Sequence, residues 1–307
     1  MTSVAVVAHS GKSMGAGLLE LRRVLEGEGV ESPQWFEVPK SKQAPKKVEK
    51  ALADGAELVF AWGGDGLVQQ CVNVLAGSKA RLAILPAGTA NLFATNLGIP
   101  EDVEACVRIG LHGTRRRLDV GTVNGEHFAV MAGVGFDARM IGDASGRLKD
   151  TLGRVTYLWT GAKNLRIKPF RATIRVDDSH WYQGKTSCIL VGNVGKLFGG
   201  VEVFADARAD DGLLELGIVT ADGLVEWTRT LARTAAGTPS KSPFVLTTKA
   251  HSVEVELNRK VLYELDGGDR TKTKSLRIDV KPAAVDVCVP ARTERLLGPL
   301  QGPPVDG

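Results

Sequence analysis

Between Val4 and Leu85 four short apolar runs alternate with helix-spaced stripes of small and branched aliphatic residues, and this alternation constrains the fold more than any other feature. Val4-Ala5-Val6-Val7-Ala8 opens the series; a continuous run of this kind is buried on both faces of a parallel sheet. Leu18, Leu21 and Leu25 follow at helical spacing, and Trp35 to Val38 reads as a second strand. Ala44, Val48, Ala51 and Leu52 form one face of an amphipathic helix whose wet face carries most of Lys46, Lys47 and Lys50. Leu58 to Trp62 and Leu82 to Leu85 read as the third and fourth strands, with Val68, Val72 and Leu75 on the helix between them. Strands alternating with helices imply a doubly wound α/β domain, whose ligands sit at the carboxyl ends of its strands.

After residue 120 the pattern changes. Apart from helices read at 148–166 and 223–235, the chain shows period-two alternation, as in Ala172-Thr173-Ile174-Arg175-Val176, Ser252 to Leu257, Leu276 to Val280 and Val285 to Val289. Strands separated by glycine and aspartate turns imply an antiparallel β-sandwich. The expected organisation is therefore an α/β domain over 1–120, rejoined by 290–307, and a β-rich domain over 121–289. Gly298 to Gly307 reads as a loose tail.

Composition excludes several classes. Of 307 residues, 43% are hydrophobic, enough for two cores. Thirty-nine basic and 35 acidic side chains leave a net charge of +4, too balanced to imply nucleic acid and compatible with contact to an anionic membrane surface. Cys71, Cys106, Cys188 and Cys288 form no metal-spaced pair and read as buried thiols. Met1 to Ser10 lacks the basic start of a signal peptide, and no apolar run approaches the ~18 residues of a membrane span. A cytoplasmic protein is expected, one that meets any lipid only by transient contact at a membrane surface.

The strongest local signal is Gly63-Gly64-Asp65-Gly66, between the third strand and its helix. Glycines there admit close approach, and N–H groups at a helix N-terminus form an anion cradle. A carboxylate inside such a cradle repels phosphate unless a divalent cation stands between them, so Asp65 implies Mg²⁺. Read blandly, the same residues are a tight turn with Asp65 as a cap. After the fourth strand comes Pro86-Ala87-Gly88-Thr89-Ala90-Asn91. Loops after successive parallel strands open on one sheet edge, so this loop can face the first. Gly88 permits close approach, while the Thr89 hydroxyl and Asn91 amide offer donors to phosphate. Ser10-Gly11-Lys12-Ser13 imitates the end of a Walker A loop, but Val6 stands where its first glycine belongs.

The set GGDG…LPAGTANLFA resembles the nucleotide-binding domain of diacylglycerol and sphingosine kinases and their bacterial lipid-kinase relatives. Arg117-Leu118-Asp119-Val120-Gly121 with Asn124, Gly133-Val134-Gly135-Phe136-Asp137, the spacing of Lys149, Gly153 and Tyr157, Gly199-Gly200 with Asp210-Asp211-Gly212-Leu213-Leu214, and Asp266-Gly267 resemble later segments of that family in order. The resemblance implies an ATP site of Gly63, Gly64, Asp65, Gly66, Leu67 and Thr89, with Gly88 and Asn91 in the second loop. Asp65 and Asp119 would join the carboxylate network around the catalytic Mg²⁺. Asp211, with the carbonyls of Arg208 and Leu213, would hold a second, structural Mg²⁺; the bland reading of that segment is a hairpin turn. The reaction implied is transfer of the ATP γ-phosphoryl group to a lipid hydroxyl of diacylglycerol or sphingoid type, met at a membrane surface. Nucleic acid and a transmembrane segment are not implied, and a homodimer is among the assemblies admitted. Trp159, Trp181 and Phe198 are candidates for the lipid entrance, although aromatic side chains there also serve as plain core.

Several positions depart from the family pattern. Leu67 and Leu92 replace a threonine and an aspartate of the bacterial relatives, Val7-Ala8 replaces Asn-Pro, and Ala205 replaces a proline. Gly268 stands where the family has the glutamate of its D-G-E element, the presumed general base. Asp266 and Asp269 flank that gap as stand-in candidates: an extended register puts Asp269 on the opposite side of the chain from position 268, but Gly267 and Gly268 can adopt positive φ and swing it round. NAD kinases and phosphofructokinases share a GGDG-type loop, but the GTAN loop and the long β domain argue against both. The other alternative, favoured by Gly268, is a non-catalytic nucleotide- or lipid-binding protein descended from such a kinase.

Overall fold

The computed structural model describes residues 2–135, 169–197, 201–222, 226–227, 229–230, 233 and 242–291. The helix expected at 148–166 lies outside these residues. So do Phe136, Asp137, Lys149, Gly153, Tyr157, Trp159, Phe198, Gly199, Gly200 and the expected loose tail. Of the helix expected at 223–235, the described residues, from Glu226 to Arg233, are helical. The chain forms two compact units. One comprises Met1–Val120, Arg208–Asp211 and the chain from Pro282 onward; the other comprises Gly121–Ala207 and Gly212–Lys281.

In the first unit, β1 (Val4–His9) pairs in parallel with β2 (Gln34–Val38) and with β3 (Leu58–Gly63), and β3 pairs in parallel with β4 (Arg81–Pro86). Every residue of β3 is buried, as its unbroken apolar run requires. The strand order β2-β1-β3-β4 reverses direction between β1 and β3. In an open α/β sheet that switch point opens a crevice beyond the strand ends, and the glycine turn follows β3 directly. Helix α1 (Leu18–Gly27) buries Leu21 and Leu25; α2 (Ala44–Ala53) buries Ala44, Val48 and Ala51. The remaining helices are α3 (Asp65–Leu75), the short α4 (Leu92–Asn96) and α5 (Val103–His112), which Asp102 caps through the Ala105 N–H. Helix α1 packs with α5 and α2 with α3. Strand β5 (Thr114–Val123) then leads out of the unit. Its sheet gains a strand from far along the chain, since Asp286 and Val287 pair in parallel with Arg81 and Leu82.

Among the described residues the strands of the second unit pair antiparallel. It contains β6 (Glu126–Phe128), β7 (Met131–Val134), β8 (Phe170–Val176), β9 (Ser179–Thr186), β10 (Cys188–Gly192), the small ladder β11 (Lys196–Leu197) with β12 (Val201–Glu202), β13 (Leu214–Val219) and β14 (Val245–Ala250). Then come β15 (Ser252–Val261), β16 (Tyr263–Leu265), β17 (Gly268–Asp269) and the first part of β18 (Thr273–Val289). One sheet runs β14-β13-β10-β7-β16-β17; in the other, β15 pairs with both β8 and β18, and β8 with β9. Val253, Val255 and Leu257 of β15 face inward and Glu256 outward, the alternation of a half-buried strand. With Phe128, Ile174, Val191 and Leu216 they build a sandwich core, against which Trp181 and Tyr182 pack partly buried. The segments Leu276–Val280 and Val285–Val289, expected as separate strands, are one strand. Ala283, at φ +49°, bends it without ending it.

Candidate functional site

The glycine turn and the loop after β4 meet backbone to backbone within the first unit. A Cβ placed on Gly64 would stand 3.1 Å from the Gly88 Cα, and one on Gly88 would stand 2.6 Å from the Asn91 Oδ1 and closer still to the Gly64 Cα. Glycine at 88 is therefore a packing requirement, and at 64 the contact leaves little room for a side chain. The Ala87 N–H donates to the Gly63 carbonyl at 3.1 Å, fastening the two loops at their bases. Trp62 Nε1 donates to the Lys12 carbonyl at 3.1 Å, which ties the turn after β1 to the same edge.

Asp65 is the first residue of α3, and its side chain serves a different helix. Its Oδ1 accepts the Phe93 N–H at 3.1 Å, at the start of α4. Burial pushes this carboxyl up, while the N–H groups of Phe93, Leu92 and Asn91 favour the anion and partly offset the rise. The ionised carboxylate is thus under-solvated and stands beside a surface of bare glycine backbone.

Asn91 corrects an expectation. It is buried, in the left-handed region at φ +46°, and its amide is used within the loop. Nδ2 donates to the carbonyls of Pro86 and Gly88 and to Glu101 Oε1, and Oδ1 accepts the Gly88 N–H. Asn91 therefore shapes the loop and has no amide proton to spare for phosphate. Leu67 is corrected likewise: it is 1% exposed and its side chain packs on Gly63, so it supports the turn from beneath. Gly66 and Thr89 are exposed, and Ser41 borders Gly66.

Asp119 is buried at the end of the first unit's own chain. Its N–H donates to the Ala209 carbonyl, and its Oδ1 accepts the Ala283 N–H at 2.7 Å, at the bend of β18. Beside it, Arg116 and Arg208 both pair with the carboxylate of Asp210. Asp211 follows directly. Arg208 and Asp211 belong to the first unit and Leu213 to the second.

In the second unit, Asp266 and Gly267 form the two-residue connection of the β16–β17 hairpin, both at positive φ (+47° and +77°), as a type I′ turn demands. The Asp266 carboxylate accepts the N–H groups of Ala129, Val130 and Met131 at 2.8, 2.9 and 2.9 Å. This corrects its candidacy as a stand-in base: both oxygens are spent on clamping the 129–131 backbone. Asp269 lies opposite Glu264 in the ladder and Gly268 opposite Leu265, so positions 268 and 269 face opposite ways. A Cβ on Gly268 would meet Arg270 Nη1 at 2.9 Å; that guanidinium also holds Glu126.

Among the described residues no cluster of three or more His, Cys, Asp or Glu side chains is arranged to hold a metal. Mg²⁺ does not require one, because it is commonly held by one or two carboxylates, phosphate oxygens and water. The paired glycine loops, the exposed Thr89 and the under-solvated Asp65 suit a magnesium-bound polyphosphate on those terms. Sequence reasoning missed the partners that hold these residues: Glu101 on Asn91, Arg116 on Asp210 and Ala283 on Asp119. Each bond joins positions that only folding brings together.

Comparison with known proteins agrees with this architecture. Residues 3–123 match the family model for the diacylglycerol kinase catalytic domain, and 129–289 match that of the YegS C-terminal NAD kinase beta sandwich-like domain. The chain is 34% identical to a "Probable lipid kinase YegS-like" of Enterobacter sp. (strain 638) over 80% of its own length and 83% of the relative's. It is 35% identical to a protein of the same name from Pseudomonas aeruginosa (strain UCBPP-PA14), over 83% and 84%. A diacylglycerol kinase structure from Bacillus anthracis str. Sterne superimposes with TM-score 0.72 at 21% identity, covering 94% of this chain and 96% of that one. An NAD kinase from Archaeoglobus fulgidus shares the fold at TM-score 0.56 and 11% identity, covering 96% and 97%. With two family models in tandem and relatives this similar over most of their length, the chain belongs to the YegS-like family of lipid kinases, a diacylglycerol kinase catalytic domain followed by a β-sandwich.

Proposed function

We propose that this protein transfers the γ-phosphoryl group of ATP, bound with Mg²⁺, to the hydroxyl of a diacylglycerol or sphingoid-type lipid. One observation carries the reading: a half-buried carboxylate, Asp65, beside two glycine loops packed backbone to backbone. Bound Mg²⁺ would supply charge neutralisation on the transferring phosphoryl group. The chain's own part is positioning. The Gly63–Gly64 and Gly88 backbones admit phosphate closely, Thr89 offers a hydroxyl, and Asp65 places negative charge where a cation is needed. Asp119 acts as a positioning residue, through the bend at Ala283. A second Mg²⁺ at Asp211 with the carbonyls of Arg208 and Leu213 belongs to the same reading. Asp211 is the carboxylate the segment would bring to the ion, next to Asp210, which pairs with Arg116 and Arg208.

A second reading is favoured by one observation, the guanidinium of Arg270 beside Gly268, where the family carries a glutamate. On that reading the chain binds nucleotide or lipid without turning over. Labelled ATP with a panel of diacylglycerols, ceramides and sphingoid bases separates the two. A labelled phospholipid supports the kinase; binding of ATP with no product from any lipid supports the second reading.

A further inference from the structure

We propose that the surface formed by α2, the edge strand β2 and the segment joining them docks on an anionic lipid bilayer, an inference that rests on the lipid-kinase reading above. Strand β2 ends the order of its sheet. Its Trp35 and Phe36 point to opposite faces, as neighbours on a strand must, and each is only partly buried. Each also lies beneath a cation: the Arg22 guanidinium is 3.7 Å from the Trp35 ring centroid, and the Lys47 ammonium 5.9 Å from that of Phe36.

From Val38 the chain runs through Lys40 and Lys42, both exposed, into α2. Ala44, Val48 and Ala51 face the interior, so Lys46 and Lys50, one turn apart, face water. Three carboxylates stand among these groups. Glu37 accepts Trp35 Nε1 at 2.8 Å, Asp54 pairs with Lys50 at 2.8 Å, and Glu49 is exposed on α2. Five lysines, Lys40, Lys42, Lys46, Lys47 and Lys50, against these three carboxylates leave a positive field, and the patch starts beside the glycine turn, where Ser41 borders Gly66.

Its chemistry suits headgroups better than a polynucleotide. All five cations of the patch are lysines, point charges suited to a diffuse field and lacking the bidentate fork that grips individual phosphates. Phe36, partly buried beneath Lys47, sets one apolar ring beside them. The outward face of α2 carries Lys46, Glu49 and Lys50 and no large apolar side chain, so contact stays at headgroup level.

The test is co-sedimentation of the whole chain, without nucleotide, on phosphatidylcholine vesicles with and without phosphatidylglycerol. Binding is expected only with the anionic lipid and should weaken as salt rises. Each basic residue near an anionic surface is worth roughly fivefold in partition, so Lys42→Gln/Lys46→Gln/Lys47→Gln should lose roughly a hundredfold, and the Glu triple more. The exposed pair Lys272→Glu/Lys274→Glu, far along the chain, should bind as the parent does. Equal binding to neutral vesicles, parental binding by the Gln triple, or preferential capture by polynucleotide in competition with the vesicles would each overturn the proposal. Phosphorylation of a short-chain lipid below its micelle concentration, measured alongside, should be unchanged in the Gln triple. Its absence from the parent, with vesicle binding intact, would count against the kinase reading and leave docking standing.

Discussion

The Asp65 carboxylate accepts the Phe93 N–H at 3.1 Å, so the residue that opens α3 also caps α4. One side chain thereby sets the separation of the two glycine loops, and the loop conformation and its charge are coupled.

Asp65→Asn should preserve this cap, because the amide oxygen still accepts from Phe93. Burial raises the Asp65 carboxyl above its ordinary value. The stability this group contributes is present in full below the unfolded pKa and is lost as pH rises through the folded one. At neutral pH the ionised carboxylate is thus a cost to the fold. We expect Tm at pH 7 to hold or rise in Asp65→Asn, while kcat falls at least about a hundredfold. Thermal melts and steady-state kinetics on the same preparation check both halves. A lower Tm with full activity would contradict the assignment.

Gly88→Ala should overfill the junction with Gly64 and Asn91. A cost of about 1–3 kcal/mol is expected in urea unfolding, as for other overpacked sites. Nucleotide affinity should fall with it, since the loops can accept the methyl only by moving apart. Parental stability and affinity would show that the contact is looser than the geometry implies.

Arg116→Ala should expose the cost of an unpartnered buried carboxylate. Arg116 is 3% exposed, and its partner Asp210 keeps only Arg208 once it is gone. Breaking a buried pair costs about 3–5 kcal/mol, and the surviving arginine should hold the loss to about 2–3. Chemical denaturation measures this directly, and a change below 0.5 kcal/mol, the size typical of surface sites, would place the pair at an effectively solvated position.

Gly268→Glu should raise lipid phosphorylation at least about tenfold if a missing base limits turnover. The new side chain would emerge against Arg270, whose guanidinium would keep the carboxyl acidic, so the gain should persist to low pH in the kcat/KM profile. If Asp269 already serves as base, the parent should be brisk and Asp269→Asn should lose about 10²–10⁴-fold. Brisk turnover indifferent to both positions would place the base elsewhere.

Strands β1 to β4 and helices α1 to α3 of the first unit were legible, because burial on both faces leaves unbroken apolar runs, as at Leu58–Gly63, with helical stripes between them; α4, α5 and β5 were not read. The glycine loops were legible too, since only close backbone approach explains so many glycines at two strand ends. Roles were less so. Asn91 and Thr89 sit two residues apart in one polar loop, yet Asn91 turns inward onto Glu101 while Thr89 is exposed. Asp266 and Asp269 are both aspartates of one glycine turn, and only the type I′ geometry sends the former to the 129–131 backbone.

By itself the sequence determined the two fold classes and the loop pair, because periodicity and glycine placement act over a few residues. Tertiary structure decided what each polar side chain does. Asp119 meets Ala283, and Arg116 meets Asp210, across long stretches of intervening chain. A buried polar atom takes whichever partner folding delivers, and a partner so remote in sequence leaves no local trace.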